Sequence, residues 1–152
     1  MSKFEEIQEQ FISLRDAEVA YWARLNETRS LIRKGFASYL DVDADEKVGA
    51  SGEPRLWLGV KKSFSGKPEQ DMVQESNELI FTLNLVFDDT KNTFPPSTLS
   101  FRLRLKFVAD RYMILEDGVD TTYMMIEEDF TPFYEHLHQA CKKKLATFTR
   151  II

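Results

Sequence analysis

The side chains best suited to catalysis are two histidines and one cysteine near the end of the chain. His136 and His138 are two residues apart, and Cys141 follows three residues after His138. Residues two apart on a helix diverge, so the histidines lack the i, i+4 spacing of a zinc-binding pair. His138 and Cys141 could touch, but a Cys–His nucleophile also needs a lowered thiol pKa and an open pocket. A cysteine on an apolar helical face is more often a small core residue, which is the role we predict.

Three aspartates resemble the start of a calcium-binding loop. Asp41, Asp43 and Asp45 match its first, third and fifth positions. The sixth position, which needs glycine for a sharp turn, is Glu46, and the twelfth, which needs a bidentate glutamate, is Gly52. The segment therefore predicts a solvated acidic loop without a metal ion.

The acidic run 127–129 could hold a carboxylate pair for acid–base chemistry if a pocket desolvated one of them. It lies where a strand pattern gives way to a helix pattern, so stabilisation of the helix N-terminus is the interpretation we favour. Glycine-rich phosphate loops and the hydrolase nucleophile elbow are absent from the sequence. We therefore predict no catalytic residue, no metal site and no cofactor.

A strip of basic residues around one tryptophan is the candidate partner-binding surface. Three basic residues alternate with apolar ones in one predicted strand, and two more share a strand face with the tryptophan. Such a surface suits a partner that carries carboxylates or phosphates, although a solvated sheet face is the plain alternative. The strip lacks the several aromatic residues that stack on single-stranded nucleic acid, which argues against that partner. Its members are Arg55, Trp57, Lys61, Arg102, Arg104 and Lys106.

The first 40 residues predict one unusually long helix. Ser2 can cap it, with Glu5 completing a capping box, and no proline occurs before Pro54. About 32 residues at 1.5 Å each give roughly 48 Å, whereas a compact chain of this length is about 38 Å across. The helix must therefore kink, around residues 26–29 or at Gly35, or pack partly on another molecule. Its apolar stripe comprises Phe4, Ile7, Phe11, Leu14, Tyr21, Leu25 and Ile32.

The first four residues of this stripe, Phe4, Ile7, Phe11 and Leu14, are the candidate homodimer interface. They occupy the part of the helix that overhangs the domain. Glu18 and Thr28 fill the two positions that the stripe skips, and both are polar. This argues against a long regular coiled coil.

The middle of the chain predicts an antiparallel sheet, because apolar and polar residues alternate there. Residues 41–54 are interpreted as a loop, and residues 69–77 as either a short helix or the start of a strand. A last helix begins with Thr131 as N-cap and Pro132 at its first position. The fold class is α+β: a two-layer sandwich in which both helices cover the apolar face of a meander of about five strands. The predicted strands are 55–64, 79–87, 99–107, 112–116 and 121–127.

The size and composition indicate one domain, residues 1–152. Cys141 is the only cysteine, so no intrachain disulfide can form, which favours a reducing compartment. The N-terminus lacks the apolar core of a signal peptide, and no segment is apolar enough to span a membrane. The net charge of -5 weakens the case for nucleic acid. The expected location is cytoplasmic.

The function that these features favour is that of a small, non-enzymatic interaction or accessory protein. A chaperone, an adaptor or an immunity protein would have this character, and its partner would be another protein or a second copy of the chain. The alternative is a small-ligand-binding protein or an enzyme. Twelve phenylalanines could line an apolar pocket between sheet and helices for a small apolar ligand.

Overall fold

The chain begins with one uninterrupted helix, seen in a computed structural model that describes residues 2–48, 52–59, 72–88 and 97–148. Helix α1 (Lys3–Leu40) has 38 residues and is about 57 Å long. The predicted cap is confirmed, since the Ser2 hydroxyl accepts a hydrogen bond from the Glu5 N–H at 3.1 Å. The helix ends where Asp41 adopts a left-handed conformation with φ of 61°. It thus runs six residues further than its predicted core of 32, and Gly35 lies inside it.

Gly35 is a point of close approach between the two helices. A Cβ atom there would lie 2.0 Å from the hydroxyl oxygen of Tyr134 and 2.7 Å from its ring carbon Cζ. Tyr134 belongs to the last helix, α2 (Thr131–Ala146). The glycine therefore serves packing between α1 and α2, and does not mark the end of α1.

The described strands are β1 (Lys47–Val48), β2 (Glu53–Pro54), β3 (Leu56–Leu58), β4 (Met72–Glu75), β5 (Glu78–Val86), β6 (Thr98–Val108), β7 (Arg111–Glu116) and β8 (Tyr123–Met125). Strands β3 to β8 form the main antiparallel sheet, in which β5, β6, β7 and β8 follow in order and both β3 and β4 pair with β5. A two-stranded ladder of β1 and β2 occupies part of the segment predicted to be a loop.

Two predicted segments differ from the structure. Residues 72–75 form a separate strand that turns at 76–77 into β5, so they are neither a helix nor the start of the next predicted strand, and 69–71 lie outside the described residues. The predicted first strand, 55–64, is confirmed only at 56–58, and its residues 60–64 lie outside the described part.

The face of the sheet turned away from the helices is less exposed to solvent than the alternation of apolar and polar residues predicts. In β5 the residues of that face are buried along with those of the apolar face. Asn84 is satisfied there, because its Nδ2 donates to the Gly59 carbonyl at 2.6 Å and its Oδ1 accepts from the Ser100 hydroxyl at 2.5 Å. On this face the residues of β5 are therefore shielded from solvent, whereas in β6 Ser100 is exposed and Arg102 and Arg104 are half-buried.

Helix α2 and the second half of α1 pack on the apolar face, which confirms the α+β architecture with a long N-terminal helix and an antiparallel sheet. Phe133, Leu137 and Cys141 of α2 are buried in the same cluster as Leu25 and Phe36 of α1. The N-cap of α2 is Phe130, one residue before the predicted Thr131. The shift arises because the Asp129 carboxylate accepts hydrogen bonds from the Thr131 N–H at 3.1 Å and hydroxyl at 2.6 Å.

Candidate interaction surfaces

The N-terminal half of α1 projects from the domain. Every residue from Ser2 to Ala20 is exposed. The helix meets the sheet at Tyr21, whose hydroxyl donates to the Asn77 carbonyl at 2.5 Å and accepts from the Phe107 N–H at 3.2 Å. Some 18 helical residues precede this point, so the projection is about 27 Å long.

Four large apolar side chains lie on one face of this projection, and we call them the projecting stripe: Phe4, Ile7, Phe11 and Leu14. Their exposed fractions are 70%, 65%, 57% and 65%. They follow the spacing of Leu25 and Ile32, which are fully buried against the sheet. The predicted interface residues are therefore brought together on one helix face as an exposed continuation of the core stripe. Their role in dimerisation stays a prediction.

The arginines of the predicted basic strip are occupied by neighbouring groups. The guanidinium of Arg55 pairs with Asp88, lies 3.6 Å from Glu46 and donates to the Val86 carbonyl at 2.9 Å. Arg102 donates to the Thr82 hydroxyl at 3.2 Å. These contacts leave less free positive charge than the sequence alone suggests.

Arg104 has two acidic neighbours, Asp117 at 2.9 Å and Glu78 at 3.7 Å. Its hydrogen bond to Asp117 raises the already high pKa of the guanidinium. Trp57 is half-buried, and its indole nitrogen has no hydrogen-bond partner among the described residues. Lys106 is half-buried, and Lys61 lies outside the described residues. Partner binding by the strip stays a prediction.

A buried carboxylate at the end of β7 forms a polar cluster that sequence reasoning missed. Glu116 lies 3.1 Å from Nε2 of His136 and 3.4 Å from Nζ of Lys144. The other ring nitrogen of His136 lies 3.3 Å from the Tyr123 hydroxyl. The sequence held one sign of this buried carboxylate. Glu116 follows Tyr112 and Ile114 at a spacing of two residues, so its side chain lies on the same inward face of β7.

This cluster borders a cleft of about 240 Å³ that Lys143 also lines. Both ring nitrogens of His136 lie within hydrogen-bonding distance of side chains of the sheet, Glu116 and Tyr123. With the ion pair between Lys144 and Glu116, these contacts tie α2 to β7 and β8. We therefore interpret the cluster as a structural network.

Cys141 is buried, as predicted for a core residue, and burial raises the pKa of its thiol to about 11. A nucleophilic cysteine needs the opposite shift. The thiol borders an apolar cleft of about 300 Å³ between the end of α1, strand β5 and α2. The lining is Leu40, Val42, Arg55, Leu85, Val86, Phe87, His138, Cys141, Lys142 and Leu145.

The acidic segments have structural partners. Arg33 lies 2.6 Å from Asp45, and this hydrogen bond lowers the pKa of that carboxyl. Asp43 accepts from the Asp45 N–H at 3.0 Å. Hydrogen bonds from Thr131 lower the pKa of Asp129, in accord with the expected stabilisation of the start of α2. Within the described ranges, no group of three or more His, Cys, Asp or Glu residues could hold a metal ion.

The chain matches no protein-family model, no curated protein and no solved structure. Neither described helix is both long enough and apolar enough to cross a membrane. Among the candidate surfaces of this chain, the projecting stripe is the most exposed.

Proposed function

We propose that this protein is a non-enzymatic interaction protein that binds another protein chain through the projecting stripe. The observation that carries the proposal is the contrast within one helix. The stripe buries Leu25 and Ile32 against the sheet, yet leaves Phe4, Ile7, Phe11 and Leu14 exposed. An adaptor, a chaperone or an immunity protein would use such a surface, and self-association is the first form of binding to test.

The exposed apolar surface of the stripe supplies part of the free energy of association. Fully burying a large apolar side chain contributes about 1.5–3 kcal/mol. The four side chains are 57–70% exposed, so burying what is exposed contributes roughly 4–8 kcal/mol from one chain. Association costs about 4–15 kcal/mol in lost freedom of motion, so the partner must add apolar surface of its own.

The test is a double substitution on the stripe, Ile7→Glu with Phe11→Glu. We expect it to abolish self-association in sedimentation velocity and to remove the captured proteins in quantitative affinity capture. The matched control is Ile12→Glu with Val19→Glu, which introduces the same charges at two exposed apolar residues on another face of α1. This control is expected to behave as the unmodified chain.

Two results would contradict the proposal. One is an unmodified chain that stays monomeric and captures nothing more than the stripe variant does. The other is equal loss of binding in the stripe variant and its control, since that would reflect a general effect of added charge. Circular dichroism should show the same helix content for all three proteins, because the substituted residues are exposed.

Binding of a small apolar ligand is a second candidate function, favoured by the cleft beside Cys141. Its volume of about 300 Å³ is at the lower end of the range for small-molecule sites. Lys142 at its border would suit a carboxylate head group. Native mass spectrometry with decanoate should show a bound adduct that Leu145→Trp, which fills the cleft, removes. Leu31→Trp, at an exposed position of α1, is the control, and an adduct that persists in Leu145→Trp would exclude this site.

A further inference from the structure

The geometry points to a second copy of this chain as the partner, paired antiparallel along the projecting stripe with its two-fold axis near Glu9. This inference rests on the proposed function and names its partner. Phe4 and Leu14 lie five residues on either side of position 9, and Ile7 and Phe11 lie two on either side. A two-fold axis there places Phe4 opposite Leu14 and Ile7 opposite Phe11. The stripe is thus complementary to itself, as an isologous dimer requires.

The domain itself excludes the parallel alternative. Beyond Glu18 the same helix face continues into Tyr21 and Leu25, which face the sheet. A parallel copy laid on Phe4–Leu14 would run on along that same face. It would enter the space that the sheet already occupies.

An antiparallel copy avoids this collision. With the axis at residue 9, residue 2 of one chain lies level with residue 16 of the other. The incoming helix therefore ends before Tyr21, where the sheet begins. The overlap in this register, residues 2–16, lies within the exposed segment from Ser2 to Ala20.

The polar residues around the stripe fit this arrangement. Gln8 and Gln10 flank the seam and meet their own counterparts, and Lys3 lies beside Ala17, so no like charges are juxtaposed. Glu18, which interrupts the stripe, lies beyond Asp16, the residue that is level with the partner's helix N-cap, Ser2. Its carboxylate accepts a hydrogen bond from the Trp22 indole at 2.9 Å. The glutamate therefore marks the end of the seam.

Disulfide trapping tests the pairing and its orientation. Two single-cysteine variants, Lys3→Cys and Ala17→Cys, are made in a Cys141→Ala background and mixed in equal amounts. In the antiparallel pair, residues 3 and 17 of different chains are offset by about 3 Å along the seam, whereas 3 and 3 are offset by about 18 Å and 17 and 17 by about 24 Å. In a parallel pair, like residues are level and the mixed pair is offset by about 21 Å. Intact mass distinguishes the mixed from the like-with-like products.

Random pairing would give about two mixed disulfides for each like-with-like disulfide of either kind. We expect the mixed product to exceed this ratio by several-fold, and Ile7→Glu with Phe11→Glu to abolish the excess. A random ratio, or an excess of like-with-like disulfides, would overturn the antiparallel pairing. A monomer at all concentrations across roughly 5–500 µM, a range that spans weak affinities, would overturn self-pairing altogether. If stripe-dependent capture of other proteins persisted in that case, the proposed function would stand without this inference. The unmodified chain, with Cys141 in place, is used for that concentration series.

Discussion

At the scale of single residues, Gly35 shows how a helix interior comes to hold glycine. Glycine costs about 1 kcal/mol relative to alanine inside a helix, so its presence needs a reason. The reason is Tyr134, whose hydroxyl would lie 2.0 Å from a Cβ atom at position 35. Burial also raises the pKa of that phenol to about 12, as expected for a hydroxyl enclosed between two helices.

We expect Gly35→Ala to destabilise the protein by about 1–3 kcal/mol, because the clash exceeds the gain in helix propensity. Urea unfolding measures this change. Tyr134→Phe should rescue the variant only in part, since it removes the oxygen but leaves a ring carbon 2.7 Å away. Ser30→Ala, at an exposed site of the same helix, is the control and should be neutral. An increase in stability for Gly35→Ala would show that the two helices do not approach as described.

Glu116 illustrates what residue types alone could not reveal. Its contacts with His136 and Lys144 join the end of a strand to a helix about 20 residues later in the chain. The sequence was enough to show that the spacing of His136 and His138 does not suit a zinc-binding pair. The side chains that these histidines contact, however, depend on tertiary packing. Only the inward register of Glu116 in the sequence pattern pointed to a buried carboxylate.

At the scale of elements, the long helix is the feature that the sequence predicted best. The cap at Ser2, the stripe and the overhang follow from local spacing and from length, which is why they could be predicted. The end of the helix beyond Gly35 could not, because the contact with Tyr134 is tertiary. Likewise, strand β4 pairs over residues 72–75 for which local patterning was ambiguous.

The sheet faces show a second limit of local patterns. The alternation of β6 predicted a wet face, and Arg102 and Arg104 do lie there. Burial of Thr82 and Asn84 on the same face depends on neighbours that sequence alternation does not identify. Arg102 and Arg104 consequently form hydrogen bonds and ion pairs with neighbouring side chains. The basic strip therefore offers less free positive charge to a partner than the sequence predicts.

Two leucines on the stripe allow the packed half and the projecting half of α1 to be compared. Leu25 is fully buried and Leu14 is 65% exposed on the same stripe. Leu25→Ala should destabilise the domain by about 2–5 kcal/mol through the cavity it leaves. Leu14→Ala should change stability by less than about 0.5 kcal/mol.

Both variants are compared by thermal unfolding at low protein concentration, where association adds nothing to stability. At high concentration the difference in stability between the two variants should narrow, because Leu14→Ala then also loses its share of the free energy of pairing. A large loss for Leu14→Ala in dilute solution would mean that the first half of α1 packs on its own domain.

At the scale of the whole molecule, the antiparallel pair predicts an elongated particle. The residues at which each helix meets its sheet, Tyr21 in both chains, lie 24 residues apart along the seam, or about 36 Å. The midpoints of the packed halves of α1 are then separated by about 65 Å, and the far ends at Leu40 by about 93 Å. The two domains consequently stand apart and touch only through the projecting helices.

Small-angle X-ray scattering should therefore give a pair-distance distribution with a second maximum near about 65 Å and a largest dimension above about 93 Å, since each value follows from helix rise alone. Dilution, or Ile7→Glu with Phe11→Glu, should return the curve to that of a single chain whose longest dimension is set by α1, about 57 Å. The control Ile12→Glu with Val19→Glu should retain the second maximum. A dimer with a single maximum and a largest dimension close to that of one chain would place the contact elsewhere on the domain, because side-by-side packing of two sheets brings their centres together.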